Sequence, residues 1–335
     1  MATRSKTGHK MKQILPMKFL LLFLVAMFLF SLTQGALGPE LFVQALLGDP
    51  GAWPIFIEIR FPRPCAAILL GAGLGMAGAA MQGFTRNPLA DHSLLGVSST
   101  AALCCVIGFY WLGWSSGWLL FLTALFGSIL AIGVIYSLVR YQQLNSTVLI
   151  LSGVALNALA AALISLFLNL APSPFAAFEV MRWLLGSVAN VKLEDMVWFF
   201  PSTLVGLWII SYQGKHLDRL SLGIDEAQSL GTSFVKVGFF LIIGSSLIVA
   251  SSVAVAGVVG FVGIIVPHLL RLYLGALPSK LLWPSAVGGA LLTLFADQLV
   301  LHLSGGIPLQ LGVVTGLLGA PIFLRVALRG AKQWQ

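Results

Sequence analysis

Charged side chains are scarce in this 335-residue sequence: Asp, Glu, Lys and Arg make up 9% of it, against 58% apolar residues. A water-soluble domain carries about a quarter charged residues, so this chain has too few to clothe a solvated surface. Cysteine is rare as well. Cys65, Cys104 and Cys105 lie at or within apolar runs without zinc or redox spacing, and read as small apolar fillers. The usual signatures of chemistry are missing too. No GxxxxGK[ST] phosphate loop occurs, because Gly214 and Lys215 are followed by His216 and lack the upstream glycine. There is no HExxH, no GxSxG elbow and no His/Cys ligand cluster. The chain therefore cannot bind ATP through a phosphate loop, and an intramembrane hydrolase or metalloenzyme has little support. No catalytic, cofactor-binding or metal-ligating residue is expected.

What the sequence does hold is long apolar runs. Crossing the roughly 30 Å hydrocarbon core as a helix takes about 20 apolar residues. Runs and their Gly, Pro and charged interruptions place ten spans, near 17–37, 64–83, 94–113, 117–139, 147–171, 196–212, 237–256, 258–275, 282–303 and 309–328. Segments such as Phe19 to Phe30 and Leu282 to Phe295 do not alternate, which argues against a transmembrane barrel. The expected fold is all-α: a polytopic membrane protein with a basic cytoplasmic amino terminus over 1–16, a transmembrane domain over 17–328 and a cytoplasmic tail over 329–335.

Charge tests the count. The formal charge of +8 is dispersed among the spans rather than gathered on one face, so topology explains it better than nucleic acid does. With the amino terminus in the cytoplasm, fifteen of the 19 Lys and Arg residues fall inside, and Arg60, Arg63, Arg182 and Lys192 fall outside. Such asymmetry follows the positive-inside rule and puts both termini in the cytoplasm. The first span follows a basic stretch, as a secretion signal would, but its length and the lack of a small-residue cleavage site favour a retained helix. Gly257, Gly260 and Gly263 offer the reversal between the seventh and eighth spans. A weak duplication at an offset of 179 residues pairs Ala77, Gly78, Pro88, Leu95 and Gly96 with Ala256, Gly257, Pro267, Leu274 and Gly275, as an inverted repeat would.

Helices already in lipid associate where small residues let backbones approach. Gly71, Gly75 and Ala79 on the second span, and Gly312, Gly316 and Ala320 on the tenth, form such seams. Polar residues within spans are few: Gln82, Asn157, Asn169, His268, Asp297 and His302. An intramembrane carboxylate such as Asp297 is a functional candidate by default, yet a hydrogen-bonded structural role is an equal reading, and no second acid lies nearby to form an ion-coupling pair.

Five stretches carry a family resemblance. They are IRFPRPCAAILLGAGLGMAGAAMQGFTRNPLADHSLLGVSSTAAL (Ile59 to Leu103), MRWLLGS (Met181 to Ser187), LSLGIDEAQSLG (Leu220 to Gly231), VAGVVGFVGIIVPHLLR (Val255 to Arg271) and LGVVTGLLGAPIFL (Leu311 to Leu324). Together they resemble the FecCD-type permeases of bacterial ABC importers for iron-siderophore, haem and cobalamin complexes. The resemblance implies an inner-membrane permease paired with a second copy, two cytoplasmic ATPase subunits that bind ATP and Mg, and an external substrate-binding protein. It implies that Arg60 and Arg63, in the family's RxPR pattern, dock the binding protein, since Arg suits bidentate pairing with carboxylates. It implies that Leu220, Leu222, Gly223, Asp225, Glu226, Ala227, Leu230 and Gly231 belong to the segment that couples to the ATPase. Asn157 and Asn169, on the fifth span, become translocation-path candidates or hydrogen-bonding partners of a neighbouring helix. Arg86, Asn87 and Pro88 match a cytoplasmic turn. Two outer positions depart from the family pattern, with Leu301 where an arginine is usual and Pro308 opening the segment before the tenth span. Siderophore, haem and cobalamin remain open as cargo. An ion-coupled secondary transporter, suggested by Asp297 and the repeat, is the rival reading.

Overall fold

Each of the ten apolar runs falls on a helix, nine of them to within a few residues at both ends, whereas α1 begins at Thr3, well ahead of the run at 17–37. The structure, a computed structural model, describes residues 3–35, 38–114, 116–141, 146–303 and 309–331. Met1, Ala2, Pro308 and residues 332–335 of the expected tail lie outside the described residues. The long elements are α1 (Thr3–Thr33), α4 (Pro62–Thr85), α5 (Val97–Trp111), α6 (Gly117–Tyr141), α7 (Ser146–Asn169), α9 (Leu193–Tyr212), α12 (Phe234–Ala256), α13 (Val262–Leu274), α14 (Pro278–Leu303) and α15 (Leu311–Ala331). Shorter helices join them: α2 (Glu40–Leu46), α3 (Ala52–Ile55) with a π-helical turn over Phe56–Arg60, α8 (Pro174–Leu184), α10 (Gly214–Leu220) and α11 (Ile224–Ser229). The described residues contain no strand. Among the described residues, six helices are long and apolar enough to cross a membrane, and four further apolar helices (Met17–Thr33, Val97–Trp111, Val262–Leu274 and Leu311–Ile322) are shorter.

Local signals explain where the helices begin and end. Pro62 and Pro64 open α4, where a missing N–H costs nothing, and Arg86 in the left-handed conformation (φ 52°) closes it ahead of Asn87 and Pro88. Asn87 Oδ1 accepts from Leu89 N, which makes this stretch a side-chain-braced turn. Ser173 caps α8 by accepting from Ala176 N, and Ser233 caps α12 by accepting from Lys236 N. The reversal expected in the tract between Lys236 and Gly275 is present. α12 ends at Ala256, Gly257 (φ 68°) and Phe261 (φ 68°) turn the chain, and α13 starts at Val262.

Hydropathy is similar among these helices, but packing is not. In the span that ends with α4, 83% of the most apolar window is buried within the chain; in α7 the figure is 11%. Small residues account for the contrast. A Cβ on Gly71 would lie 2.1 Å from Thr293 Oγ1 and 2.2 Å from the Gly289 carbonyl oxygen, and one on Gly75 would lie 2.2 Å from the Ser285 carbonyl oxygen. Ala79 is buried on the same helix, and Thr293 Oγ1 donates to the Ala67 carbonyl across the seam at 2.6 Å. α4 crosses α13 as closely, at Gly78 and Gly263. The tenth-span seam divides. Gly312 packs on the carbonyls of Leu185 and Val258, whereas a Cβ on Gly316 would meet nothing within 4 Å and Ala320 is exposed.

The paired positions of the duplication occupy unlike structure. Gly78 lies inside α4 while Gly257 ends α12, and Pro88 sits in a turn while Pro267 lies inside α13. That register therefore does not superpose equivalent elements.

Gly75→Ala is expected to lower the thermal unfolding midpoint in detergent, with an overpacking cost of about 1–3 kcal/mol. Gly316→Ala, facing open space, is expected to leave the midpoint of the isolated chain unchanged or slightly raised.

Candidate functional site

The residues singled out by sequence fall into three groups, one at each end of the bundle and one between. At the end that the charge distribution places outside, the π-helical turn and the first turn of α4 carry Arg60 and Arg63. Arg60 is only 8% exposed, and its Nη1 donates to the Gly38 carbonyl at 2.9 Å, pinning the turn that leads into α2. Phe28, Phe42, Phe56 and Phe61 pack in the same small apolar cluster beneath that turn. Arg63 reaches α14 instead. Its Nε lies 3.1 and 3.0 Å from Asp297 Oδ1 and Oδ2, and its Nη2 lies 2.8 Å from Oδ1. The Asp297 side chain is 2% exposed and that of Arg63 19%. The two arginines are therefore neighbours with different roles, since Arg60 braces a loop and Arg63 neutralises a buried carboxylate.

Neighbours of Asp297 bond nearby as well, although Gln298 Oε1 is buried without a partner among the described residues. Gln298 Nε2 donates to Ser31 Oγ of α1 at 2.8 Å, and His302 Nδ1 lies 2.8 Å from the Gln298 carbonyl. Leu301 is half-buried and His302 exposed at this end of α14, while His268 is half-buried within α13.

Between the ends, Asn157 is occupied by the connection from α4 to α5. Its Nδ2 donates to the carbonyls of Ser93 (2.9 Å) and Leu94 (3.1 Å), and its Oδ1 accepts from Ser99 Oγ at 2.5 Å. Asn169 bonds within its own helix, donating to the Ser165 carbonyl. The structure does not bring the two asparagines together. The segment that Asn157 clasps holds Asp91, which accepts from Ser93 N and Ser93 Oγ and abuts Gly263. Burial lowers the adjacent His92 imidazole below its ordinary value, although the charge of Asp91 opposes the shift. Nearby, Gln82 ties α4 to α13 by donating to the Gly263 carbonyl and accepting from Arg271 Nη2.

At the end placed inside, α10 and α11 form a compact double turn. Leu220 and Ala227 are buried beneath it, while Leu222 and Leu230, with Asp225, Glu226 and Gly231, face outward. Gly223, at φ 137°, has a conformation that side chains rarely adopt, and it sets the angle between the two helices. The groups that hold this unit lie outside the stretch expected from sequence. Arg219 Nη1 donates to the Leu230 carbonyl (3.1 Å) and to Thr232 Oγ1 (3.3 Å), and both carboxylate oxygens of Asp218 bind Ser279 of α14. A helix periodicity gives no hint of Asp218 or Arg219 as anchors. The Arg63 partnership had one available signal: an intramembrane carboxylate needs a cation, and few basic residues lie at that level.

Arg63→Ala leaves the Asp297 carboxylate buried without its partner, so it should cost about 3 kcal/mol or more of stability, and Arg63→Ala with Asp297→Asn should recover part of that loss. Thermal unfolding of both variants in detergent checks the order.

Known proteins resemble this chain in sequence and fold. The FecCD transport family matches residues 20–329. The Hemin transport system permease protein HmuU of Yersinia pestis is 34% identical over 326 residues, covering 94% of this chain and 96% of its own. The Vitamin B12 import system permease protein BtuC of Vibrio cholerae is 38% identical over 273 residues, covering 81% and 82%. A solved inward-facing conformation of a transporter assigned to the metal-chelate ABC type superposes with a TM-score of 0.81 at 30% identity, over 92% of this chain and 97% of that one. With its apolar helices in place and its sequence matched over residues 20–329, the chain belongs to the FecCD transport family of bacterial ABC importer permeases, as a multi-pass membrane protein.

Proposed function

We propose that this chain is the permease subunit of an inner-membrane ABC importer that carries an iron chelate, siderophore or haem, into the cytoplasm by alternating access. The observation that carries the proposal is the family match over nearly the whole chain, joined to an inner double turn that is braced at both ends. A segment can pass force to a bundle only if it is fixed to it, and α10 and α11 meet that condition. ATP and Mg belong to two separate ATPase subunits, because this chain has no phosphate loop. The exposed apolar Leu222 and Leu230, flanked by Asp225 and Glu226, suit insertion into a cleft of such a subunit.

A second copy of the chain completes the path. α7 offers Leu151, Val154, Leu159 and Leu166 to its surroundings, and α15 offers Leu317 beside the open face of Gly316. These weakly covered helices are where a partner copy would pack. On the outer rim, the partly exposed Arg63 is the residue placed to meet a binding protein, with Arg60 acting through the loop it holds. Asp297 does not serve ion coupling in this reading, since a coupling carboxylate must be free to bind its ion and this one is held by Arg63.

Proteoliposomes holding the permease with its ATPase and hemin-loaded binding protein are expected to take up hemin only with ATP, with or without an ionophore. Uptake that persists without ATP and collapses with an ionophore would falsify the importer reading, and uptake of cyanocobalamin in place of hemin would move the cargo to cobalamin. Replacing Arg60 by Gln and exchanging the buried pair (Arg63→Asp with Asp297→Arg), which keeps opposite charges facing each other, is expected to weaken binding-protein affinity about tenfold or more while ATPase assembly persists. Unaltered affinity removes both residues from the docking surface.

A further inference from the structure

We infer that Asp218 is the positioning residue that ties the inner double turn to α14, so that α10, α11 and α14 move as one lever from the ATPase side to the outer rim. This inference rests on the importer reading and adds to it the route taken by force. The clasp is two-pronged. Asp218 Oδ1 accepts from Ser279 N at 2.9 Å and Oδ2 accepts from Ser279 Oγ at 2.5 Å. Ser279 is the second residue of α14, so the carboxylate satisfies an N–H that has no partner within its helix, and it places negative charge at the positive end of the helix dipole. Two bonds from one carboxylate fix both distance and orientation, which a single bond would not.

The residue next to Asp218 faces the other way. Arg219 grips the carbonyl of Leu230, at the end of α11, and the hydroxyl of Thr232, which also lies 3.2 Å from His216 Nδ1. α10 is thereby bonded to α11 on one side and to α14 on the other. A push on Leu222 or Leu230 must displace α10, and with it the first turn of α14. Gly214 of α10 also packs on Leu282 and Ser279 Cβ of α14, a contact that is non-directional.

From that turn α14 runs 26 residues, about 39 Å as an ideal helix. Pro284 interrupts its hydrogen bonding near the start, but the carbonyl of the following residue, Ser285, lies against Gly75, so α4 splints the interruption. Further along, Gly289 and Thr293 hold α14 to α4, and Asp297 closes the far end on Arg63. A displacement entering at Ser279 therefore reaches Asp297 through continuously packed backbone.

The test uses the full complex of permease, ATPase and binding protein in proteoliposomes. The permease carries no cysteine other than Leu303→Cys, at the exposed outer end of α14. With Asp218 intact, the rate of labelling by a membrane-impermeant maleimide is expected to differ about fivefold or more between the nucleotide-free and vanadate-trapped states. Asp218→Ala should abolish that difference while ATP hydrolysis continues, which loss of structure alone would not do. Asp218→Asn, which keeps an acceptor for Ser279 N, should restore part of it. A full nucleotide response in Asp218→Ala overturns the inference. Should that variant fail to assemble, Ser279→Ala removes only the hydroxyl bond and is expected to reduce the response; an unchanged response there overturns the inference as well. ATP hydrolysis without any response at Leu303→Cys in the unaltered complex rejects the lever and leaves the importer standing, whereas failure of the ATPase to associate with the unaltered chain rejects the importer reading itself.

Discussion

Close backbone approach between α4 and α14 is the constraint on which the rest of the structure depends. In lipid, apolar side chains gain nothing by leaving one apolar neighbour for another, so two helices hold together through shape and through the few polar groups between them. Gly71, Gly75 and Gly289 bring no side chain of their own to the seam, and the carbonyls of Gly289 and Ser285 move into the vacated space. Once the backbones are that close, Thr293 can reach the Ala67 carbonyl, and Arg63 can reach Asp297. A larger residue in the seam would separate both pairs.

Several polar groups in the bundle bond from one helix to another element. Arg63 and Asp297 join α4 to α14, Gln82 joins α4 to α13, Asn157 joins α7 to the connection before α5, and Gln298 joins α14 to α1. Unsatisfied polar groups are costly where water is absent, so each of these residues stabilises one arrangement of helices over its alternatives. Much of what looks functional by its rarity in an apolar sequence is thus committed to architecture. Asn157 and Arg60 are the clearest cases, because their hydrogen bonds hold connecting segments.

Against this rigid centre, α7 and the double turn of α10 and α11 are the parts left available. α7 is as apolar as its neighbours but little covered by them, and the double turn presents Leu222 and Leu230 to the exterior. A transporter needs this division, since a packed centre moves as one body with the double turn bonded to it, and the exposed elements are left to meet partners.

The all-helical architecture, the places where helices break and the α4 seam were legible in the sequence because they rest on local or periodic signals: apolar length, Gly and Pro punctuation, and small residues four apart. The inner segment was legible from its resemblance, and the missing phosphate loop from its absence. The partners of Arg60, Arg63, Asn157 and Asp218 were not. Arg63 and Asp297 lie 234 residues apart, and Asp218 and Ser279 lie 61 apart, so no window along the chain contains both members of either pair. Gly316 makes the same point in reverse, sharing the spacing of Gly71 and Gly75 yet meeting nothing within 4 Å among the described residues. The sequence by itself determined that this is a bundle of membrane helices and which faces can pack closely, because both follow from composition and the helical repeat. Which polar group meets which, and which seam is closed within the chain, only the tertiary structure decided, because those pairings depend on how helices distant in sequence come to lie side by side.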